Sequence, residues 1–144
     1  MRLTEIDGRR VMAAGTAVTV GRVAGVVIDP RQGIVVALRV KGAPSGDTLR
    51  WADVSGIGAD AVMVASPDAV GEAVDRTAEI LGTKHEFVGK RLLTDTGSDL
   101  GLVIDVAFDE QDGAVTALHT EDGRIGDADL IGCGSYGVVV RRHA

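Results

Sequence analysis

Cysteine, aromatic residues and long apolar runs are scarce in this 144-residue chain, which has one Cys, one Trp, one Tyr and two Phe. A single cysteine, Cys133, cannot form a disulfide within the chain or supply the paired cysteines of a zinc site. No apolar run approaches the ~20 residues of a transmembrane helix, and the start of the chain lacks the apolar core of a signal peptide. We therefore expect a cytoplasmic protein without a membrane segment.

Positive charge is also in short supply. The chain has 15 Lys and Arg against 21 Asp and Glu, a formal net charge of −6 at pH 7. Nucleic-acid binding depends on clustered Lys and Arg that release counterions from the phosphates, so the composition argues against a nucleic-acid partner. An acidic balance of this size is the ordinary source of solubility.

What the chain does contain is a repeat rich in valine and glycine. Residues 21–38 (GRVAGVVIDPRQGIVVAL) align without a gap to residues 101–118 (GLVIDVAFDEQDGAVTAL), with eight identities. Residues 51–64 align to 127–140 with six more. A period of about eighty residues is too long for a solenoid repeat and indicates a duplicated small domain. We predict a first unit over 1–65, a connector over 66–83 and a second unit over 84–144.

Within each unit the pattern predicts short antiparallel strands. Residues 22–29 and 34–41 form a hairpin around DPRQG, in which Gly33 takes the left-handed position of the turn, and Gly113 does the same in DEQDG. Asp29 and Asp109 suit a carboxylate that accepts backbone N–H bonds within its own turn better than they suit a metal site. Many short strands with frequent turn signals favour small closed barrels.

The connector changes period and predicts an amphipathic helix over 66–83. Ser66 can cap it, Pro67 fits its first position and Gly82 can end it. Val70, Ala73, Val74, Thr77, Ile80 and Leu81 would share its apolar side. Such a stripe must be buried, so the two units are not expected to move freely.

The order of glycines and apolar residues over 8–65 and again over 89–141 resembles the PRC-barrel family. The quoted elements are GRRVMA with GKRLLT, the two hairpins, and WADVSGIGADAVMV with DADLIGCGSYGVVV. The resemblance implies a mainly β chain: two small antiparallel PRC-type β-barrels related by duplication and pseudo-twofold symmetry, and joined by the amphipathic helix. The resemblance also implies docking onto another macromolecule, and it supplies no catalytic residues. Fold analogy alone says little about chemistry.

The residues themselves assemble no catalytic, cofactor or metal site. His85, His119 and His143 are scattered, and Cys133 suits a small buried thiol better than a nucleophile because no neighbouring base is evident. The loop 95–99 (DTGSD) lacks the spacing of an EF-hand and is read as a turn. We therefore expect a protein that is not an enzyme and needs no cofactor.

Two places could bind a partner protein or a second copy. Ile34, Val36, Leu38 and Val40 alternate along one strand and predict an apolar outer face, of which Val36 and Val40 are the candidate contacts. Arg50 and Trp51 are residue types favoured at interfaces, although a core position for Trp51 is the competing interpretation.

The leading hypothesis is a non-catalytic protein-interaction or scaffold module. The alternative, which rests on the family resemblance to a ribosome maturation factor, is a ribosome- or RNA-associated factor. Its candidate contacts lie at the unit starts and the carboxyl terminus: Arg9, Arg10, Lys90, Arg91, Arg141 and Arg142.

Overall fold

The computed structural model describes residues 1–83, 86–126 and 128–142. After a one-turn helix α1 (Leu3–Ile6), the first half of the chain forms seven strands: β1 (Arg10–Ala13), β2 (Val18–Asp29), β3 (Ile34–Lys41), β4 (Thr48–Arg50), β5 (Val54–Ile57), β6 (Ala61–Val64) and β7 (Val70–Gly71). They make one sheet in the order β5-β6-β1-β2-β3-β4-β7. All pairs are antiparallel except β1 with β6.

Helix α2 (Asp75–Leu81) leads into the second half, which forms six strands: β8 (Arg91–Thr94), β9 (Asp99–Phe108), β10 (Val115–Thr120), β11 (Gly123–Ile125), β12 (Ala128–Cys133) and β13 (Gly137–Arg142). Their order is β11-β10-β9-β8-β13-β12, with β8 and β13 parallel. Read from the other end, this is the order of β5-β6-β1-β2-β3-β4. The two halves therefore share one topology, to which the first half adds β7.

The protein is mainly β, as predicted, but neither sheet closes into the expected barrel. In the second half β11 and β12 lie at opposite ends of the sheet order, and in the first half β5 lies at one end and β7, which pairs with β4, lies at the other. No ladder among the described residues joins the two ends of either sheet. Loop residues of the other half lie at one edge of each sheet: Glu110 and Gln111 beside β5, and Gln32 and Gly33 beside β12. Sequence periodicity predicts strands, whereas closure of a barrel also depends on how the strands tilt and stagger across the whole sheet.

One hydrophobic core runs through both sheets. It joins valines and leucines of β1, β2 and β3 to Leu92, Val103, Val106 and Phe108 of the second half, all nearly inaccessible to solvent. Ile6 of α1 and Phe87, which precedes β8, also lie in this core. Because one contiguous core normally marks one cooperative unit, the halves are packed together through their strands, whereas Ile80 of the connector packs in a separate small cluster.

The connector differs from the predicted helix over 66–83. Ser66 does cap a helical turn, since its hydroxyl accepts the Asp68 N–H at 3.2 Å, but that turn is a 3-10 helix that ends at Ala69. Val70 and Gly71 then pair with β4, which buries Val70 completely. Strand pairing satisfies the β4 edge, and glycine costs a helix about 1 kcal/mol, so the helix begins only at Asp75 and ends, as expected, before Gly82.

The predicted apolar outer face of β3 is wrong. Leu38 and Val40 are 0 % and 1 % exposed and belong to the main core. Irregular register between β2 and β3 breaks the simple alternation, since the pairing shifts between Val27 and Ile28 and between Val23 and Gly25. A β-bulge of this kind changes which side chains face the core.

No helix of the described residues is long and apolar enough to cross a membrane.

Candidate functional site

The loop between β2 and β3 and the loop between β9 and β10 are hydrogen-bonded to each other, a contact that we call the clasp. The Val35 N–H donates to the Gly113 carbonyl, and the Val115 N–H donates to the Gly33 carbonyl, both at 2.8 Å. Ile34 and Ala114 form the bridge between them. Val35 aligns with Val115 and Gly33 with Gly113 in the repeat, so the two bonds are exchanged by the duplication, which is the reciprocity expected of contacts across a twofold axis. The clasp therefore has local pseudo-twofold symmetry.

Both clasping turns are built as the sequence predicted. Gly33 and Gly113 have φ of +64° and +77°, in the left-handed region that favours glycine. The Asp29 carboxylate accepts the Arg31 N–H at 2.9 Å, and the Asp109 carboxylate accepts the Gln111 N–H at 2.7 Å. The interpretation of these aspartates as turn residues is confirmed.

Asp29 has a second partner that sequence reasoning did not anticipate. Arg76 of α2 donates to both of its carboxylate oxygens, at 3.1 and 3.0 Å. This bond is the main reason why the pKa of Asp29 lies below its usual value, although burial opposes the shift. The pair ties α2 to the β2–β3 hairpin, next to the small cluster in which Ile80 packs on Val27 and Ala37.

A groove of about 440 Å³ lies between β5 and the clasping loop of the second half. Trp51, Ala52 and four residues of β5 form one wall, and Glu110 and Gln111 form the other. The Trp51 ring packs edge-on against Phe108, with 5.7 Å between centroids and an interplanar angle of 84°. Trp51 thus serves both the core and the groove, and the two interpretations of its role are compatible.

The edge that borders this groove faces the clasping loop across open space and has no protecting residue of its own. β5 is the last strand of its sheet, and its sequence VSGI has no charge and no proline. Nothing lies within 4 Å of the position that a Cβ would take at Gly56. Arg50 is exposed beside the groove and pairs with Asp53 at 3.3 Å. Natural proteins usually blunt such an edge with lysine, proline or a covering segment.

A smaller cavity of about 130 Å³ lies between β10 and β12 of the second half and is lined by Gln32 and Gly33 of the first clasping loop and by Asp129 and Leu130 of β12. A Cβ at Gly33 would touch the Leu130 side chain at 3.8 Å. The loop there reads PRQ instead of EQD, so it carries no carboxylate. Of the two clasping loops, only the one beside Trp51 supplies a carboxylate to the cavity that it lines.

A second asymmetry opens a cleft of about 700 Å³ between α1, the β2–β3 hairpin and residues 86–88. At the aligned position of the second half, the side chain of Asp105 is buried, and the Thr4 hydroxyl of α1 donates a short hydrogen bond to its carboxylate. The residue aligned with Asp105 is Gly25, which fills no space. Arg39 lines the cleft and pairs with Asp47 at 3.1 Å, while its Nε is buried without a hydrogen-bond partner.

The structure separates the predicted interaction residues. Arg50 and Trp51 lie together at the groove. Val36 is partly buried against the cluster under α2, and Val40 lies in the main core, so neither presents a free apolar face in this conformation. Sequence reasoning missed Glu110, Gln111 and Phe108. The change from DPRQG to DEQDG was visible in the repeat, but only the fold shows which edge that loop faces.

The basic residues of the alternative hypothesis lie largely among acidic or polar partners. Arg91 pairs with Asp99 and Glu121, at 3.1 and 3.5 Å, and Arg141 pairs with Asp95 at 3.4 Å. Arg9 donates to the Gly58 carbonyl. Lys90 contacts the Cys133 sulfur at 3.4 Å, and Arg10 and Arg142 are exposed. Paired charges contribute less to a phosphate-binding surface than free ones do.

Cys133 is half-buried, and burial raises the pKa of its thiol while the Lys90 ammonium lowers it. Within residues 1–83, 86–126 and 128–142, no three His, Cys, Asp or Glu side chains are placed to share a metal ion. His85 and His143, which the sequence analysis considered, lie outside the described residues.

Comparison with known proteins gives one family. No curated protein matches the chain. The model of the PRC-barrel domain matches residues 74–140, a range that spans α2 and nearly all of the second sheet. The matched range does not include residues 8–65, so a first PRC-type unit stays a prediction, although that half has the same strand order. The chain thus carries a PRC-barrel domain match over residues 74–140, the half that begins with α2.

Proposed function

We propose that this chain is a non-catalytic protein-interaction module. The observation that carries the proposal is the groove beside Trp51, where an uncharged, unpaired sheet edge meets a partly exposed tryptophan and a wall supplied by the other half. Edges of this kind pair readily with other chains unless they are protected, and Trp with Arg is the composition of many interface centres.

The clasp between the halves adds support. The groove has one wall from each half, so its width depends on the two reciprocal hydrogen bonds between Gly33, Val35, Gly113 and Val115. A preformed groove costs a partner less ordering free energy than a mobile one. Binding that draws on both halves also gives a reason for keeping them in a single chain.

The test is a tagged pull-down from native cytoplasm at low and high salt, with and without ribonuclease, together with the native mass of the purified protein. We expect a stoichiometric protein partner, or a discrete homo-oligomer, that resists both salt and ribonuclease. A strict monomer that recovers no stoichiometric protein contradicts the proposal. Ribosomal material that disappears with ribonuclease or salt would instead favour the RNA-associated alternative.

A further inference from the structure

We infer that β5 is a strand-acceptor edge, and that its partner is an extended segment in which basic side chains alternate with apolar ones. This inference rests on the proposed interaction function and adds the mode of binding and the chemistry of the partner. It follows from the geometry of the groove, from the free carboxylate on its wall and from the contrast with the aligned edge of the second half.

The backbone of β5 can accept a strand. It pairs with β6 on one side only, from Val54↔Val64 to Ile57↔Val62, so its other side faces the groove. Ser55 and Gly56, at the centre of the edge, are small residues. Nothing lies within 4 Å of the position that a Cβ would take at Gly56. An added strand lies about 4.8 Å from its neighbour and is held by main-chain hydrogen bonds, so the unpaired side of β5 offers the groups that such a strand needs.

The groove supplies an apolar wall for one set of partner side chains. Val54 and Ile57 are partly buried against the main core, and Trp51 lies at one end of the same wall. Successive side chains of a strand point to opposite faces. A bound strand can therefore direct every second side chain to this wall, and those side chains should be apolar.

The other wall selects positive charge. The Glu110 side chain is exposed and makes no hydrogen bond or ion pair with any residue that the structure describes, whereas Asp109 and Asp112 accept backbone N–H groups of their own turn. Arg50, which precedes Trp51 in the chain, is paired with Asp53. An unpaired carboxylate at the rim, on a chain with net charge −6, attracts lysine or arginine.

The aligned edge of the second half shows what the groove would lack without these features. β12 carries Ile131 where β5 carries Ser55, and the loop beside it has Pro30 where the other has Glu110. Its cavity is also smaller, about 130 Å³ against about 440 Å³. Two edges of one topology therefore differ at the centre of the strand and in the loop beside it, and of these two loops only the one at β5 carries a glutamate at the aligned position.

The experiment measures peptide binding to the full chain by fluorescence anisotropy. The probe is a labelled octapeptide in which lysine and threonine alternate with valine, and a second peptide replaces lysine with glutamate. We expect the lysine peptide to bind and the glutamate peptide to bind at least about tenfold more weakly. Chemical shifts of backbone amides should change on binding at Val54 to Ile57 and not along β12.

Two pairs of variants locate the site. Ser55→Lys places a charge on the edge and should weaken binding about tenfold, whereas Ile131→Lys, the same change at the aligned position of β12, should not. Glu110→Lys should weaken binding about fivefold, and Glu72→Lys, which makes the same charge change at an exposed site outside the groove, should leave it unchanged. Thermal unfolding shows whether each variant is folded. If Ser55→Lys does not fold, the comparison of Glu110→Lys with Glu72→Lys tests the site.

Three results would overturn the inference: no binding of the lysine peptide, equal binding of the two peptides, or equal effects of each variant and its control. The proposed function can survive that failure. If the partner or oligomer from the pull-down is retained by Ser55→Lys and Glu110→Lys, the module stands and the β5 edge is not its site. If the wild-type chain recovers no protein and stays monomeric, the interaction function itself is refuted.

Discussion

Replacing Gly113 by alanine tests the clasp between the two halves. At φ +77° an L-residue costs roughly 1–2 kcal/mol. The new Cβ would also lie 3.0 Å from the Val35 carbonyl oxygen and 3.1 Å from the Trp51 Nε1. The first contact is with backbone, which cannot move without disturbing the two interloop hydrogen bonds, worth about 1 kcal/mol each. We expect Gly113→Ala to lower the free energy of unfolding by about 2–4 kcal/mol.

Two other glycines serve as controls for backbone strain. Gly97 has φ +96° and open space around it, so Gly97→Ala should cost only about 1–2 kcal/mol. Gly33→Ala, at φ +64° with its nearest contact at 3.8 Å, should cost about the same. Although Gly33 and Gly113 are aligned in the repeat, their substitutions should therefore differ in effect.

Urea unfolding followed by tryptophan fluorescence measures all three variants, because Trp51 reports on the clasp directly. The slope of the transition should match that of the wild type, since the exposed surface does not change. Equal losses for Gly113→Ala and Gly97→Ala would refute the argument, because strain alone would then account for the effect and the clasp would contribute nothing measurable.

Three further outcomes follow from contacts elsewhere. Because the Arg76 hydrogen bonds hold the folded-state pKa of Asp29 below its usual value, this stabilisation is present above about pH 4 and is lost as the pH falls through the folded pKa; Asp29→Asn should therefore lower the urea midpoint at pH 7 and flatten its fall below pH 4. Ile80→Ala should cost about 2–4 kcal/mol because the side chain is 2 % exposed, whereas Val74→Ala, at 57 % exposure, should cost less than about 0.5 kcal/mol; equal losses would instead support the longer amphipathic helix. Since burial raises the pKa of the Cys133 thiol, iodoacetamide should alkylate it more slowly than free cysteine at pH 8, Lys90→Ala should slow it further, and urea should abolish both differences.

Local features of this fold were predictable because their causes are local. Left-handed glycines at 33 and 113, and aspartates that accept N–H groups two residues ahead, depend on a few neighbouring residues. The connector was less predictable for a reason that can be named. An apolar stripe over residues 70–81 fits a helix, but Val70 has a better alternative in pairing with Leu49 on a distant strand, and no local pattern reveals that competitor.

The candidate site divides in the same way. Trp51 and Arg50 stood out as residue types, but Glu110 and Gln111 belong to a hairpin more than fifty residues away along the chain, and nothing in the sequence places them opposite β5. The predicted contact at Val40 failed because irregular register in the β2–β3 ladder turned that side chain into the core.

The sequence by itself determined the mainly β character, the repeated hairpins and the geometry of their turns, because strand propensity and backbone strain act over a few residues. Only the tertiary structure decided that the sheets stay open, that the loops clasp across a pseudo-twofold axis and that Glu110 faces β5 across a groove. Those features depend on which surfaces, far apart in the sequence, bury the most apolar area together. Such contacts form only when the chain folds.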